Sequence, residues 1–130
     1  MSEQVAKFRF NGFKVIESKF KYISEFSGKP ENYSVDLTPS FSVSESNRIV
    51  KLTLETVVAT ENKLVDIYVK SESVFEFDTD LDNGEKQVYF RKNAPAIMFP
   101  YVRAYISALS VLSGIPPITL PTINLAINSK

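Results

Sequence analysis

Three alternating aspartates, Asp78, Asp80 and Asp82, are the closest approach to a metal site in this sequence. Followed by glycine and glutamate, they resemble the start of a calcium-binding loop, in which oxygens at alternate positions coordinate the ion. Such a loop needs glycine at its sixth position and glutamate at its twelfth, where this chain has Asn83 and Tyr89. The flanking residues also follow strand patterns, so we interpret the segment as an acidic hairpin turn.

Residue types and motifs that commonly carry out catalysis are scarce in this sequence. The chain contains no histidine and no cysteine, which removes the commonest general base, the thiol nucleophile and the usual zinc ligands. No glycine-rich phosphate loop and no GxSxG elbow occurs. The carboxylates are scattered along positions predicted to face solvent, where surface charge is far commoner than a catalytic pair. We therefore predict no catalytic residue, no metal and no cofactor, and expect that the protein is not an enzyme.

Size and charge narrow the class of protein. A chain of 130 residues that is 44% hydrophobic is expected to form a single domain over residues 1–130. Its fifteen basic and fifteen acidic residues balance, which argues against binding to nucleic acid or to an anionic membrane. Charged residues interrupt the first ten positions, where a signal peptide needs an apolar run, so a cytoplasmic location is expected.

The first ninety or so residues follow strand patterns. Residues 33–43 alternate between apolar and small polar side chains, and two later stretches, 50–58 and 65–77, keep apolar residues on one parity, as in a sheet with one buried face. Phe13 and Val15 break the even-numbered apolar pattern of residues 8–26 and indicate a bulge or a break. Turn signals near residues 28, 46, 61 and 83 predict an antiparallel meander with short links.

The C-terminal third is almost uncharged, since Arg103 is the only charged residue from Asn93 to Ser129. Residues 96–113 predict a helix, with Pro95 and Pro100 in or before its first turn and Gly114 ending it. Two apolar stripes run along it, and one sheet face cannot cover both. The first comprises Ile97, Tyr101, Ala104, Ala108 and Leu112, and the second Met98, Val102, Ile106 and Leu109.

A membrane span is not predicted, because prolines and polar residues interrupt the apolar run before about 20 residues are complete. We therefore expect part of the helix to pack against another subunit. Residues 115–125 contain three prolines and should be extended. Their apolar side chains, each worth about 1.5–3 kcal/mol when buried, must pack in a groove or line one.

The helix start, Pro95-Ala96-Ile97-Met98-Phe99-Pro100-Tyr101-Val102-Arg103, resembles the helix-opening signature of the export chaperone family SecB. The following residues, 114–125, resemble the proline-containing loop behind that helix. The resemblance implies an α+β fold, a four-stranded antiparallel sheet packed with one long C-terminal helix.

The resemblance also implies a function: an ATP-independent holdase for unfolded or pre-secretory proteins, assembled as a dimer or as a homotetrameric dimer of dimers. No ATP or metal is implied. The family's client groove is lined partly by this helix and loop, which points to Met98, Phe99, Tyr101, Ile118 and Leu120. For the first three of these, client contact and subunit contact remain alternatives.

Two differences from the family bear on partners. The chain ends soon after Leu125, where the family usually continues into a second helix, so we expect most of that helix to be missing and the groove to be more open. Family members are typically acidic and dock the motor SecA partly through a negative surface, whereas this chain is neutral, so SecA is an open question. A chaperone dedicated to one partner, such as an antitoxin, and a carrier of small apolar ligands are the alternatives.

Overall fold

A computed structural model describes residues 7–22, 33–60 and 64–121. Four strands, β1 (Phe8–Tyr22), β2 (Tyr33–Ser44), β3 (Ile49–Thr60) and β4 (Val65–Phe77), form one antiparallel sheet. Their order is β1-β4-β3-β2. β2, β3 and β4 form the predicted meander, but the meander predicted for all four strands is wrong, because β1 pairs with β4 at the edge opposite β2. Alternation identifies a strand without saying which strand it pairs with.

The two central strands, β3 and β4, form the buried core. Every second residue of each is buried, as the parity of their apolar residues predicted, because successive side chains of a strand point to opposite faces. The register pairs Val50 with Phe75 and Val58 with Ile67. Burial on this inner face is therefore continuous across both strands. The side chains that form it are Val50, Leu52, Leu54, Thr56, Val58 and Thr60 of β3, and Val65, Ile67, Val69, Ser71, Ser73, Phe75 and Phe77 of β4.

Two bulges interrupt β1. Phe10 and Phe13 pair with β4 residues only two apart, and Val15 and Glu17 pair with adjacent ones, so each interval contains one extra residue. The first bulge moves the inward side chains from even to odd positions, and the second moves them back. Gly12 adopts a φ of 129° in the first bulge, a conformation that L-residues avoid. The irregularity seen in the sequence is therefore a pair of bulges within one strand.

The acidic segment that follows β4 begins a helix, so the predicted hairpin turn is wrong. The short helix α1 spans Asn83–Val88, and Asp82 caps it: Glu85 donates its backbone N–H to Asp82 Oδ1 over 2.8 Å, and the Asp82 N–H bonds to Glu85 Oε1 at 3.2 Å. This reciprocal capping box, Asp-x-x-Glu, was the sequence signal for a helix start. Strand structure accordingly ends at Phe77, well before residue ninety.

Helix α1 continues through a π-helical turn, Tyr89–Asn93, into the long helix α2, Ala94–Leu112. Pro95 has no N–H to offer the Arg91 carbonyl, and the Ala94 N–H bonds five residues back to Tyr89, which widens the turn. The start predicted at residue 96 is therefore wrong. Pro100 lies inside α2 because the helix begins earlier. The predicted end is confirmed, with Gly114 at a φ of 94°.

Helix α2 lies across the inner face and contacts β1 and β4. The continuous helix Asn83–Leu112 is long and apolar enough to cross a membrane by length and composition alone. Its buried residues, including Met98, Val102 and Ile106, belong to the sheet's hydrophobic cluster, as in the core helix of a globular protein. The second helix that was expected to be largely missing falls outside the described residues.

Candidate functional site

The two apolar stripes of α2 face different environments. Met98, Val102 and Ile106 are fully buried, whereas the first stripe faces solvent along its whole length. Ile97 is 37% exposed, Tyr101 46% and Leu112 85%. This confirms the prediction that one sheet face cannot cover both stripes, and much of the first stripe is left uncovered by the described residues.

Tyr101 forms the centre of a half-exposed aromatic cluster. Its ring stacks on Phe10 and on Phe13, with centroid distances of 5.3 Å in both cases. The first β1 bulge makes this arrangement, because without the extra residue Phe10 and Phe13, three positions apart, would point to opposite faces. Stacked rings of this kind are rigid and offer an apolar edge to solvent. The cluster therefore presents a preformed aromatic surface beside strand β1.

The other predicted site residues on the helix are buried. Met98 and Phe99 belong to the same hydrophobic cluster as Phe75 and Phe77 of β4. Their side chains are therefore not on the surface. Client contact by Met98 and Phe99 stays a prediction, and it requires the covering segments to move.

The chain after α2, residues 115–121, is here called the proline segment. Ile118 and Leu120 are buried, and Thr119 and Pro121 between and after them are exposed. The Tyr33 hydroxyl donates to the Thr119 carbonyl over 2.6 Å, and Arg103 Nε donates to the Leu120 carbonyl over 3.0 Å. The segment therefore joins the first residue of β2 to the middle of α2.

Strand β2 adds apolar surface that was not among the predicted site residues. On its inner side Val35, Leu37 and Phe41 are half-buried, and Val43 is 43% exposed. Incomplete cover is expected for an edge strand because it has a neighbour on one side only. The strict alternation of residues 33–43 identified the strand, but alternation alone cannot distinguish a covered edge from an open one.

No group of three or more acidic, histidine or cysteine side chains that could hold a metal ion occurs among the described residues. Carboxylates on the outer face of the sheet pair with cations: Glu72 with Lys51 at 3.6 Å, and Asp78 with Arg9 at 3.0 Å.

One titratable group on the outer face is perturbed. A hydrogen bond from the Tyr68 hydroxyl to Glu55 Oε2, 2.6 Å long, together with the negative charge of that carboxylate, raises the pKa of Tyr68 to about 12. The phenol therefore stays protonated at neutral pH and acts as a donor to Glu55. The bond links the neighbouring strands β3 and β4 on the outer face of the sheet.

Comparisons with known proteins agree with this geometry. Residues 18–127 match the model of the SecB family, described as preprotein translocase subunit SecB. The sequence is 32% identical over 99 residues to the uncharacterized protein MJ0357 of Methanocaldococcus jannaschii, a match that covers 73% of this chain and 63% of that protein.

Two solved structures share the fold at 12% sequence identity. The Mycobacterium tuberculosis Rv1957 SecB-like chaperone, in complex with a ChAD peptide from the Rv1956 HigA1 antitoxin, matches with a TM-score of 0.73 over 90% of this chain and 88% of that one. A Streptococcus agalactiae protein of unknown function matches with a TM-score of 0.52 over 91% and 99%.

The sheet order and the single long C-terminal helix define a SecB-like α+β fold. With the family match extending over most of the residues, the chain belongs to the SecB family. The resemblance inferred from the helix-opening residues is therefore confirmed.

Proposed function

We propose that this protein is an ATP-independent holdase that binds unfolded or pre-secretory polypeptides in the cytoplasm and catalyses no reaction. The observation that carries the proposal is the exposed apolar stripe of α2, with Tyr101 stacked between two phenylalanines at its start. Exposed apolar surface on a folded domain generally marks a binding site. A surface built from rings and aliphatic groups binds many apolar sequences without reading a particular one.

The proposed client site is the apolar surface around the predicted residues Met98, Phe99, Tyr101, Ile118 and Leu120. Tyr101 is directly accessible, and the half-buried inner side of β2 extends the apolar surface on the far side of the proline segment. The side chains of Met98 and Phe99 are buried and become available to a client only when the chain that covers them moves. Ile118 and Leu120 are buried as part of the proline segment itself.

The same helix supports a second proposal, that the protein assembles as a dimer or as a dimer of dimers. Ala104 and Ala108 are small and exposed in the middle of the stripe, with Leu112 at its end. Small residues allow two helices to approach closely, and large apolar residues beside them contribute buried area. We assign this C-terminal half of the stripe to subunit contact, and the end around Tyr101 to clients.

Two observations bear on the identity of the partner. The structurally similar Rv1957 chaperone holds a peptide from an antitoxin, which favours a chaperone dedicated to one partner as a variant of the general holdase. Docking to SecA through a negative surface has less support, since the outer-face carboxylates Glu72, Glu76 and Asp78 lie within 4 Å of Lys51 or Arg9. Compensated charges of this kind produce little net potential.

The test is suppression of aggregation of a chemically unfolded probe protein in the absence of nucleotide. We expect the wild type to suppress aggregation and Tyr101→Asp to lose most of this activity, because a charge is costly to desolvate against apolar groups. Val88→Asp is the matched control, since Val88 is a similarly exposed apolar residue, 49% accessible, on α1. If Tyr101→Asp suppressed aggregation as well as the wild type, the assignment of Tyr101 to the client site would be wrong.

Assembly is tested separately by light scattering. The wild type should have the mass of a dimer or tetramer, and Ala104→Glu with Ala108→Glu should reduce that mass without loss of helix signal. A wild type that is a monodisperse monomer would contradict the assembly proposal.

A further inference from the structure

We propose that the proline segment is a built-in occupant of the client surface, which an extended client displaces in order to bind. This inference rests on the proposed holdase function and adds a regulatory element to it. The segment would keep the apolar inner face covered while no client is present, and would set how strongly a client must bind.

The conformation of the segment is that of an extended client. Burial alternates along it, with Ile118 and Leu120 facing the core and Thr119 and Pro121 facing solvent. An extended chain places successive side chains on opposite sides, so two apolar residues at alternate positions suffice to cover the face. An unfolded polypeptide with the same spacing of apolar residues could make the same contacts.

The polar contacts of the segment also depend on no particular sequence. Tyr33 and Arg103 donate to the backbone carbonyls of Thr119 and Leu120. Every residue of a polypeptide has a carbonyl, so both donors could serve a client's backbone after the segment has left. Among the described residues, no backbone–backbone hydrogen bond joins residues 116–121 to the sheet or to α2, so the segment can detach without breaking a ladder.

The surroundings of the proline segment provide an approach for the client. The inner side of β2 beyond Tyr33 is incompletely covered, from half-buried Leu37 to exposed Val43, so a client can contact this strand before the segment moves.

Displacement has a quantitative consequence. When only the open form binds, the apparent dissociation constant equals the intrinsic one divided by the fraction of molecules that are open. Removing the side chain of Tyr33 or Arg103 destabilises the closed and the client-bound states alike. The two effects on the apparent dissociation constant therefore largely cancel. Ile118 and Leu120 stabilise the closed state alone, and removing their side chains should therefore strengthen client binding.

The first experiment locks the segment. Tyr33→Cys with Thr119→Cys introduces the only two thiols, because the chain has no cysteine, and a bismaleimide with a reducible disulfide links them. The probe is fluorescently labelled, reduced and carboxymethylated α-lactalbumin, which stays unfolded. We expect the linked form to bind it at least tenfold more weakly than the same protein after reduction of the linker, a control that is identical in sequence.

The second experiment opens the segment. Leu120→Ser should lower the dissociation constant for the same probe by about tenfold, equivalent to 1.4 kcal/mol. Val88→Ser, at an exposed position on α1, is the control and should not tighten binding. Circular dichroism checks that both variants keep the sheet and the helix.

The two proposals fail in different ways. If the wild type binds the probe, and neither the linker nor Leu120→Ser changes its affinity, the occupant role of the segment is wrong and the holdase function stands. If neither the wild type nor Leu120→Ser binds the probe, the holdase function is wrong and the occupant role falls with it. Weaker binding by Leu120→Ser would show that Leu120 contacts clients directly and would also overturn the occupant role.

Discussion

Substitution of Gly12 by alanine tests whether the first β1 bulge depends on a backbone conformation that only glycine tolerates. Gly12 has a φ of 129°, and a Cβ built there meets nothing within 4 Å. Steric contact with neighbouring residues therefore contributes nothing to the expected effect. The cost of Gly12→Ala comes from the backbone alone, and the result is correspondingly simple to interpret.

The magnitude follows from two opposing contributions. A non-glycine residue in a sparsely populated backbone region costs about 1–3 kcal/mol. Alanine also restricts the unfolded chain, which returns about 0.4–1 kcal/mol. We expect Gly12→Ala to lower the free energy of unfolding by about 1–2 kcal/mol, which corresponds to a Tm lower by roughly 4–8 °C for a domain of this size.

The assay is urea unfolding followed by far-ultraviolet circular dichroism at one fixed protein concentration, because oligomerisation makes apparent stability depend on concentration. Ser18→Ala is the control, since Ser18 is exposed on the same strand and should change stability by less than about 0.5 kcal/mol. D-alanine at position 12, introduced by semi-synthesis, should restore stability because positive φ is favourable for it. Unchanged stability of Gly12→Ala would refute the reasoning.

Three further predictions concern the helix cap, the outer face and the sheet edge. Asp82→Ala should lower the free energy of unfolding by about 1 kcal/mol by removing the capping box. Asp82→Asn should retain most of the stability that the cap contributes, and urea unfolding measures both variants. Glu55→Gln should move the pKa of Tyr68 from about 12 back toward 10.0, measured by tyrosinate absorbance against Tyr68→Phe. Since the folded-state pKa is raised, the stability from this bond should be present below pH 10 and decrease as pH rises toward 12. Pro39→Val should increase self-association in light scattering, because proline in an edge strand withholds a donor from pairing with other chains, whereas Ser40→Val on the outer face should not.

Much of the fold could be predicted because it depends on local periodicity. The alternation in β3 and β4 and the two stripes of α2 each follow from the geometry of one element. The start of the helix was missed for a physical reason: Asp82 and Gly84 favour turns as strongly as helix caps. The reciprocal Asp82–Glu85 pair was the feature that distinguished them.

The candidate site was harder to predict than the fold because it depends on which apolar residues are covered. Tyr101 and Met98 have similar hydrophobic character and lie three positions apart, yet one is half-exposed and the other buried. The rotation of the helix about its axis relative to the sheet determines which of the two side chains is buried, and the strand order determines which strands form the sheet edges. Local periodicity predicts neither the rotation nor the strand order. The placement of β1 beside β4 brings Phe10 and Phe13 to Tyr101, and no pattern within residues 8–22 indicates that pairing.

The position of Arg103 explains why residues 93–129 contain one charged side chain. One side of α2 packs on the sheet and the other side is apolar and open, so a charged residue has few positions in which it is not costly. Arg103 is half-buried between these sides, and its Nε donates to the Leu120 carbonyl. A guanidinium retains its charge when partly buried and offers several donors in a fixed plane, so it can hold a backbone carbonyl regardless of side chain. The single charge therefore lies where the proline segment meets the helix, the point at which the closed and client-bound forms would exchange.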